Sequence, residues 1–294
     1  MSTDVWLGLV LAAVALQFFA SLFWSWRVSR GLDLASRKLK GLTKATDKAN
    51  DLLVDRMEAL EANDPTHKSR VISDRIQDAV INRSLWPQVE GLITLYRILD
   101  GKQSLPSTRR WALSPDMLLH LARHIEESAP RTIIECGAGS STIAMAAMLR
   151  AFGQEGHIYS IESDPRFVKE VGAQLKRRGL ERYATLIDAP LVTRHYRGHE
   201  RQFSWYDFDR ALLPDGADML VVDGPPGATN SLARYPAGPE LIPTLAAGAG
   251  IFVDDVKRPD EQLMLKLWRE MFPGLGEVRD LYAENGGVLV VKER

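Results

Sequence analysis

Cysteine is nearly absent: the chain of 294 residues holds one, Cys136. A lone thiol excludes an intrachain disulfide framework and argues for a reducing compartment. No Cys/His grouping has the spacing of a zinc site. An excess of either charge sign is also missing, since the net charge is -1. That removes the overall basic footprint of a nucleic-acid binder, and no nucleic-acid partner is expected. Glycine-rich or proline-rich low-complexity tracts are lacking too. With 45% hydrophobic and 26% charged residues, there is material for one α/β domain plus additional segments.

Charge is conspicuously missing from Val5 to Trp26 (VWLGLVLAAVALQFFASLFWSW), a run of 22 residues. At about 1.5 Å per residue it spans a hydrocarbon core of roughly 30 Å, so residues 5–26 are expected to form a transmembrane anchor behind a short tail, 1–4. A cleaved signal peptide would need a basic leader and a shorter apolar core; Met1 to Asp4 contain no Lys or Arg. Trp24 and Trp26 suit an interfacial belt. Arg27, Arg30, Arg37, Lys38, Lys40 and Lys44 follow, opposed only by Asp33. The positive-inside rule then puts the remainder on the cytoplasmic side of an inner membrane.

Residues 27–65 read as a helical stalk. Leu39, Leu42, Thr46, Ala49, Leu53 and Leu60 lie near a three-four spacing, which serves either a short coiled coil, and hence a homo-oligomer, or a solvated single helix. Asn63, Asp64 and Pro65 end it. Residues 66–110 hold amphipathic runs (RVISDRIQDAVI, QVEGLITLYRIL) expected to pack as a helical extension on a main domain at 111–294. Ser114, Pro115 and Asp116 form a helix start.

From Arg131 strand and helix patterns alternate. Expected strands are Thr132 to Cys136, His157 to Ile161, Ala184 to Ile187, Met219 to Asp223, Gly250 to Asp254, Val278 to Tyr282 and Gly287 to Val291. Such alternation predicts a doubly wound, mainly parallel α/β sheet of seven strands. Only AENG joins the last two, too short for a crossover helix, so they are expected to form an antiparallel hairpin.

The first strand runs through Glu135 into Gly137-Ala138-Gly139 and then a helix opening with Ser140 and Ser141. Glycines in a strand-to-helix turn permit positive φ and close approach of a ligand to the main chain, and free N–H groups at the helix start suit polar or anionic groups. Tight packing alone also explains such a turn. Acids then recur at strand ends: Glu162, placed for ribose hydroxyls; Asp188, placed either for an adenine amino group or as a loop cap; Asp223 in VVDGPPG; and Asp254 and Asp255 in IFVDD. In open α/β sheets these edges converge on one crevice.

From about Trp111 to Val291 the chain resembles the class I S-adenosylmethionine-dependent methyltransferases. ECGAGSST looks like their first motif, IESDP like their acid-ended second strand, and the final hairpin like their antiparallel last strand. WALSPD, VDGPPG and ARYPAGPELIP are similar to a bacterial subgroup associated with membrane-proximal or envelope loci. A dinucleotide oxidoreductase would want a third glycine where Thr142 stands. The resemblance implies S-adenosylmethionine bound by Glu135, Gly137, Gly139 and Ser141 around the methionine part, Glu162 on the ribose and Asp188 near adenine.

Asp223, Asp254 and Asp255 resemble the metal-binding arrangement of catechol and sugar O-methyltransferases, which implies Mg²⁺ or Mn²⁺; strand-end caps without a metal are the alternative. Sugar O-methyltransferases often carry a His base soon after the strand-four acid, where this chain has Pro225 and Pro226. Asp223, with His195 or His199 as bases from the basic segment TRHYRGHERQFSWYD, is the candidate catalytic set. Arg197 and Arg234 are candidates for an anionic small-molecule or glycan acceptor. Trp205 and Tyr206 either stack on a sugar or anchor that segment in the core. The expected activity is O-methylation of a sugar or envelope-precursor hydroxyl at the membrane. Metal-independent methylation of a small molecule or protein side chain, and a non-catalytic cofactor-binding membrane protein working through its stalk, are the alternatives.

Overall fold

A computed structural model describes residues 53–54, 84–99, 105–106, 112–196 and 201–293. By compactness the chain divides into Met1–Gln77 and Asp78–Arg294. Within the first unit only Leu53 and Val54 are described; both are helical and exposed. The expected anchor at 5–26 and most of the stalk lie outside the described residues, as do His199 and Arg197. Among the described residues no helix is long and apolar enough to cross a membrane.

The second unit runs α1 (Trp86–Ile98), α2 (Pro115–Ser128), β1 (Thr132–Cys136), α3 (Ser140–Ala151), β2 (His157–Glu162), α4 (Pro165–Arg178), β3 (Ala184–Asp188), β4 (Leu191–His195), β5 (Gln202–Tyr206), β6 (Ala217–Val222), α5 (Ala237–Leu241), β7 (Leu245–Asp254), α6 (Pro259–Met271), β8 (Arg279–Asp280) and β9 (Gly287–Val291). Seven strands make one sheet in the order β3-β2-β1-β6-β7-β9-β8. The pairs from β3 to β7 are parallel, and β9 is antiparallel to both β7 and β8. The expected terminal hairpin is therefore present, although β8 has shrunk to two residues.

Period-two alternation divides the sheet between two cores. Ile133, Met219, Val221 and Phe252 pack with α1 to α4, while Ile134, Leu220, Val222, Ile251 and Val253 pack with α5 and α6 on the opposite face. Signals read for α4 operate as expected. Asp164 caps its start by accepting from the Arg166 N–H at 2.9 Å, and Gly179 ends it at φ 61°.

The basic segment Thr193 to Asp207, in which no strand is expected from sequence, is a correction. Its described residues form a separate antiparallel hairpin, β4–β5. Phe203, Trp205 and Tyr206 are each 1% exposed and belong to the same core as Trp268 and Tyr235. The aromatic pair thus anchors the hairpin in the core, and burial of rings this large holds it there. Its outer part is tied to the chain after β6: Ser204 N–H donates to Asn230 Oδ1 at 3.2 Å and Tyr196 O–H to Glu240 Oε1 at 2.8 Å.

Candidate active site

The carboxyl ends of β1, β2, β6 and β7 bring together the glycine turn, Glu162 and the three aspartates. Gly137 adopts φ +96°, a conformation that disfavours side chains, and any Cβ there would crowd the backbone of Asp223 and Gly224 at 3.2–3.3 Å. The turns after β1 and β6 thus pack back to back. Gly139 differs: its φ is -173°, extended backbone open to any residue, and a Cβ there would meet nothing within 4 Å. Its lack of a side chain leaves an open cradle at the start of α3. Ser140 Oγ, at the same point, is buried and has no hydrogen-bond partner. Ser141, expected to contact the cofactor, stands next to it in the first turn of α3.

Ser141 and Glu135 are committed elsewhere. Glu135 is fully buried and accepts from Ser141 Oγ at 2.5 Å, Thr142 Oγ1 at 2.5 Å and Ser160 Oγ at 2.6 Å. Thr142 Oγ1 also accepts from the Gly139 N–H at 3.0 Å. Burial pushes the Glu135 carboxyl up to about 7, against the three hydroxyls, which pull it down. Glu135 and Ser141 therefore tie the start of α3 and the glycine turn to β1 and β2. Sequence signals for this brace existed in the hydroxyls following the glycines and in Ser160, which lies opposite Glu135 across β1 and β2.

Glu162 takes the Ser163 and Asp164 N–H groups on Oε1 at 2.6 and 2.8 Å. Its Oε2 has no protein partner among the described residues, so one oxygen is oriented and the other is available. Asp188 pairs in register with Glu162 at the end of β3 and is exposed. No contact among the described residues gives it a capping role.

On the opposite wall, Asp223, Asp254 and Asp255 each offer a carboxylate oxygen within 4.8 Å of the others. Arg234 fills part of the space between them and is 4% exposed. Its Nη2 donates to Asp255 Oδ2 at 2.8 Å, to Asp223 Oδ1 at 3.2 Å and to the Asp223 carbonyl at 3.0 Å, while Nη1 donates to the Asp254 carbonyl at 3.1 Å. This corrects the expectation that Arg234 binds an acceptor anion: its fork is spent as the counter-ion of the acid cluster. Arg258 adds an ion pair to Asp255 at 2.8 Å.

Burial, then the neighbouring Asp254, raises the Asp223 carboxyl well above the usual range despite Arg234. Burial and Asp255 push Asp254 up to about 7, and Asp254 Oδ1 is buried without a partner. Asp255 sits at φ 64°, a left-handed conformation uncommon outside glycine that Asp tolerates better than most. Hard oxygens at this spacing, one of them orphaned, fit a divalent cation; Asp223, Asp254 and Asp255 would hold it, with Arg234 already neutralising one side.

His195, at the end of β4 and opposite Gln202, is exposed. Among the described residues no contact joins it to the acid cluster. Tyr206, for which the sequence left open a sugar contact or a core anchor, is buried in the core, and its hydroxyl would lie 2.4 Å from a Cβ placed on Gly224.

No family model matches this chain, and no curated protein does. Among solved structures, it is similar to an O-methyltransferase from Bacillus cereus in complex with SAH, at 13% identity over 76% of this chain and 97% of that one, with a TM-score of 0.45. It is similar also to the O-methyltransferase TomG from Streptomyces achromogenes in complex with SAM, at 16% identity over 75% of this chain and 96% of that one, with a TM-score of 0.44. A third is the SAH-bound methyltransferase PaMTH1 of Podospora anserina, at 16% identity over 76% and 96% of the two chains, with a TM-score of 0.48.

Proposed function

We propose that this chain is an S-adenosylmethionine-dependent methyltransferase acting on oxygen, with a sugar or lipid-linked envelope precursor as acceptor at the cytoplasmic face of a membrane. The observation that carries this reading is the open cradle at Gly139 together with the unpartnered Oε2 of Glu162 and the acid cluster, all following strand ends on one edge of the sheet. A nucleoside's ribose suits Glu162. The amino-acid end of the donor suits Ser140 and the first N–H groups of α3.

The donor's methyl then faces the wall formed by Asp223 and Asp254. The acceptor oxygen attacks the methyl carbon as the carbon–sulfur bond breaks, its electron pair remaining on sulfur. The acceptor's proton passes to the acid cluster, where Asp254 Oδ1 is the oxygen lacking a protein partner. A carboxyl near pH 7 is suited to take that proton. A divalent ion bound by the three aspartates would lower the acceptor's pKa and orient it. The apolar segment 5–26 supports a membrane-linked acceptor, because tethering raises effective concentration.

Arg234 favours a second reading, metal-independent methylation, because a guanidinium already pairs with Asp223 and Asp255. Methyl transfer from labelled S-adenosylmethionine to membrane, glycan and lipid extracts distinguishes the two. Metal-assisted transfer should fall at least about tenfold with chelator, return with Mg²⁺ or Mn²⁺, and fall by about two orders of magnitude in Asp223→Ala. Activity indifferent to chelator supports the metal-free reading. Full labelling by Asp223→Ala removes Asp223 from both.

A further inference from the structure

Helix α1 leaves its outer face uncovered. Leu85, which precedes it, and Trp86, Ile93 and Tyr96 on it are 42%, 52%, 42% and 40% exposed. At 3.6 residues per turn, Trp86, Glu90, Ile93 and Arg97 fall on one stripe, spaced i, i+4, i+7 and i+11, with Leu85 and Tyr96 along one margin. The opposite stripe carries the buried Gly91 and Leu95. There α1 meets α2 so closely that a Cβ on Gly91 would lie 3.0–3.2 Å from the backbone of Pro115 and Asp116. A second tie fixes the start of the helix, where Ser84 Oγ donates to Glu284 Oε1 at 2.7 Å. The apolar stripe is therefore held facing outward. Contiguous apolar surface of this kind marks an interaction site, and Trp, Tyr and Arg are the residues enriched at such sites.

The charges on the stripe select its occupant. Glu90 and Arg97 are exposed and have no ion-pair partner among the described residues. They flank Ile93 and lie about 10 Å apart along the helix axis. Against a lipid surface Glu90 would sit in the middle of an apolar contact without a counter-ion. Against a second copy of the same stripe the charges answer one another. A two-fold axis beside Ile93, with the helices antiparallel, sets each Glu90 against the partner's Arg97. A parallel pair would instead set like charges on each other. The antiparallel contact is isologous, each copy presenting the same patch.

We propose that α1 is a self-association surface. Two copies of this chain pair through antiparallel α1 helices, with Ile93 at the two-fold axis, Trp86 and Tyr96 covering the seam, and two Glu90–Arg97 ion pairs fixing the register. One short helix covers less than the about 800 Å² per partner of a standard interface, so the association is concentration-dependent, with micromolar affinity.

Single cysteines introduced into the full chain test this, since the one native thiol, Cys136, is buried. With a short bismaleimide, Ile93→Cys should cross-link into dimers. Trp86→Cys, about two turns from the axis, should stay largely monomeric, and so should Phe167→Cys, on α4 and 47% exposed. Phe167→Cys controls for collisions between copies that associate elsewhere in the chain. In the Ile93→Cys background, Glu90→Arg or Arg97→Glu should cut the cross-linked fraction at least about fivefold, and the two together should restore it to within about twofold. Thermal melting of each variant, matched to the parent, controls for folding. Absence of cross-linking at Ile93→Cys overturns the inference, as does equal cross-linking of all three cysteines. Equal yields from Ile93→Cys and Trp86→Cys overturn it too, because they require parallel helices. A monomeric Ile93→Cys that phospholipid vesicles shield from a maleimide dye would make the face a membrane contact instead.

Discussion

Arg234→Met is expected to lower stability by about 3–5 kcal/mol near pH 8, the cost of stranding buried carboxylates by removing their partner. Arg234 joins the turn after β6 to the end of β7, bonding both carbonyls and side chains of the acids there. With Met in its place, Asp255 retains Arg258, but Asp223 loses its guanidinium. The carboxyls of Asp223 and Asp254 are already raised by burial, and without Arg234 they rise further. Ionising such acids opposes folding, so the variant's deficit should grow as pH rises through about 7 and shrink towards pH 5.5. Thermal denaturation at the two pH values checks this, with a loss of roughly 10 °C at the higher one. A variant as stable as the parent at pH 8 would show that the fork does not hold the cluster together.

Glu135→Ala should be nearly as damaging, by about 4 kcal/mol, because Ser141, Thr142 and Ser160 all donate into that one buried carboxylate. The start of α3 would lose its tie to β1, and the cradle at Gly139 its shape, so donor binding should be lost as well. Glu135→Gln isolates the charge. The carboxyl moves from 4.5 to about 7 on folding, and an acid raised in this way contributes stability fully below about pH 4.5, losing it as pH rises through 7. That contribution is roughly 3 kcal/mol. The stability of the parent relative to Glu135→Gln should therefore decline by about that amount between pH 4.5 and 7.5 in parallel denaturant titrations. A constant difference would mean that the carboxyl titrates normally.

The fold was legible where residue type and period agreed. The bounds of β1 and β9 are those expected from sequence, since Thr132-Ile133-Ile134 and Gly287-Val288-Leu289-Val290-Val291 are β-prone and closed by glycines or turns. By contrast, β7 starts at Leu245, five residues before the expected Gly250, because Ala246, Ala247 and Gly248 carry no strand propensity and are placed by pairing and a register shift against β6. The β4–β5 hairpin was hidden by Arg194, His195 and Arg201, whose charges read as loop. Alternation of buried Phe203 and Trp205 with Gln202 and Ser204 was the available signal.

The convergence of acids on one edge was legible from their positions at strand ends, but their roles were not. Glu135 and Glu162 look alike in sequence, yet one accepts from three side-chain hydroxyls and the other from two backbone N–H groups. Arg234 lies eleven residues past Asp223, in a connection whose path no periodicity predicts. Only its folding back shows that its charge is consumed internally.

Equilibrium binding of methyl-labelled S-adenosylmethionine to the full chain, alongside Glu162→Ala, tests the central claim most directly. Glu162, at the end of the strand next to β1, has one carboxylate oxygen without a partner among the described residues. Saturable binding near one donor per chain is predicted, weakened at least about tenfold in the variant by loss of a charge-assisted hydrogen bond to the ribose. Absence of binding by the parent chain, or binding that Glu162→Ala leaves intact, would contradict the placement of a methyl donor at this turn.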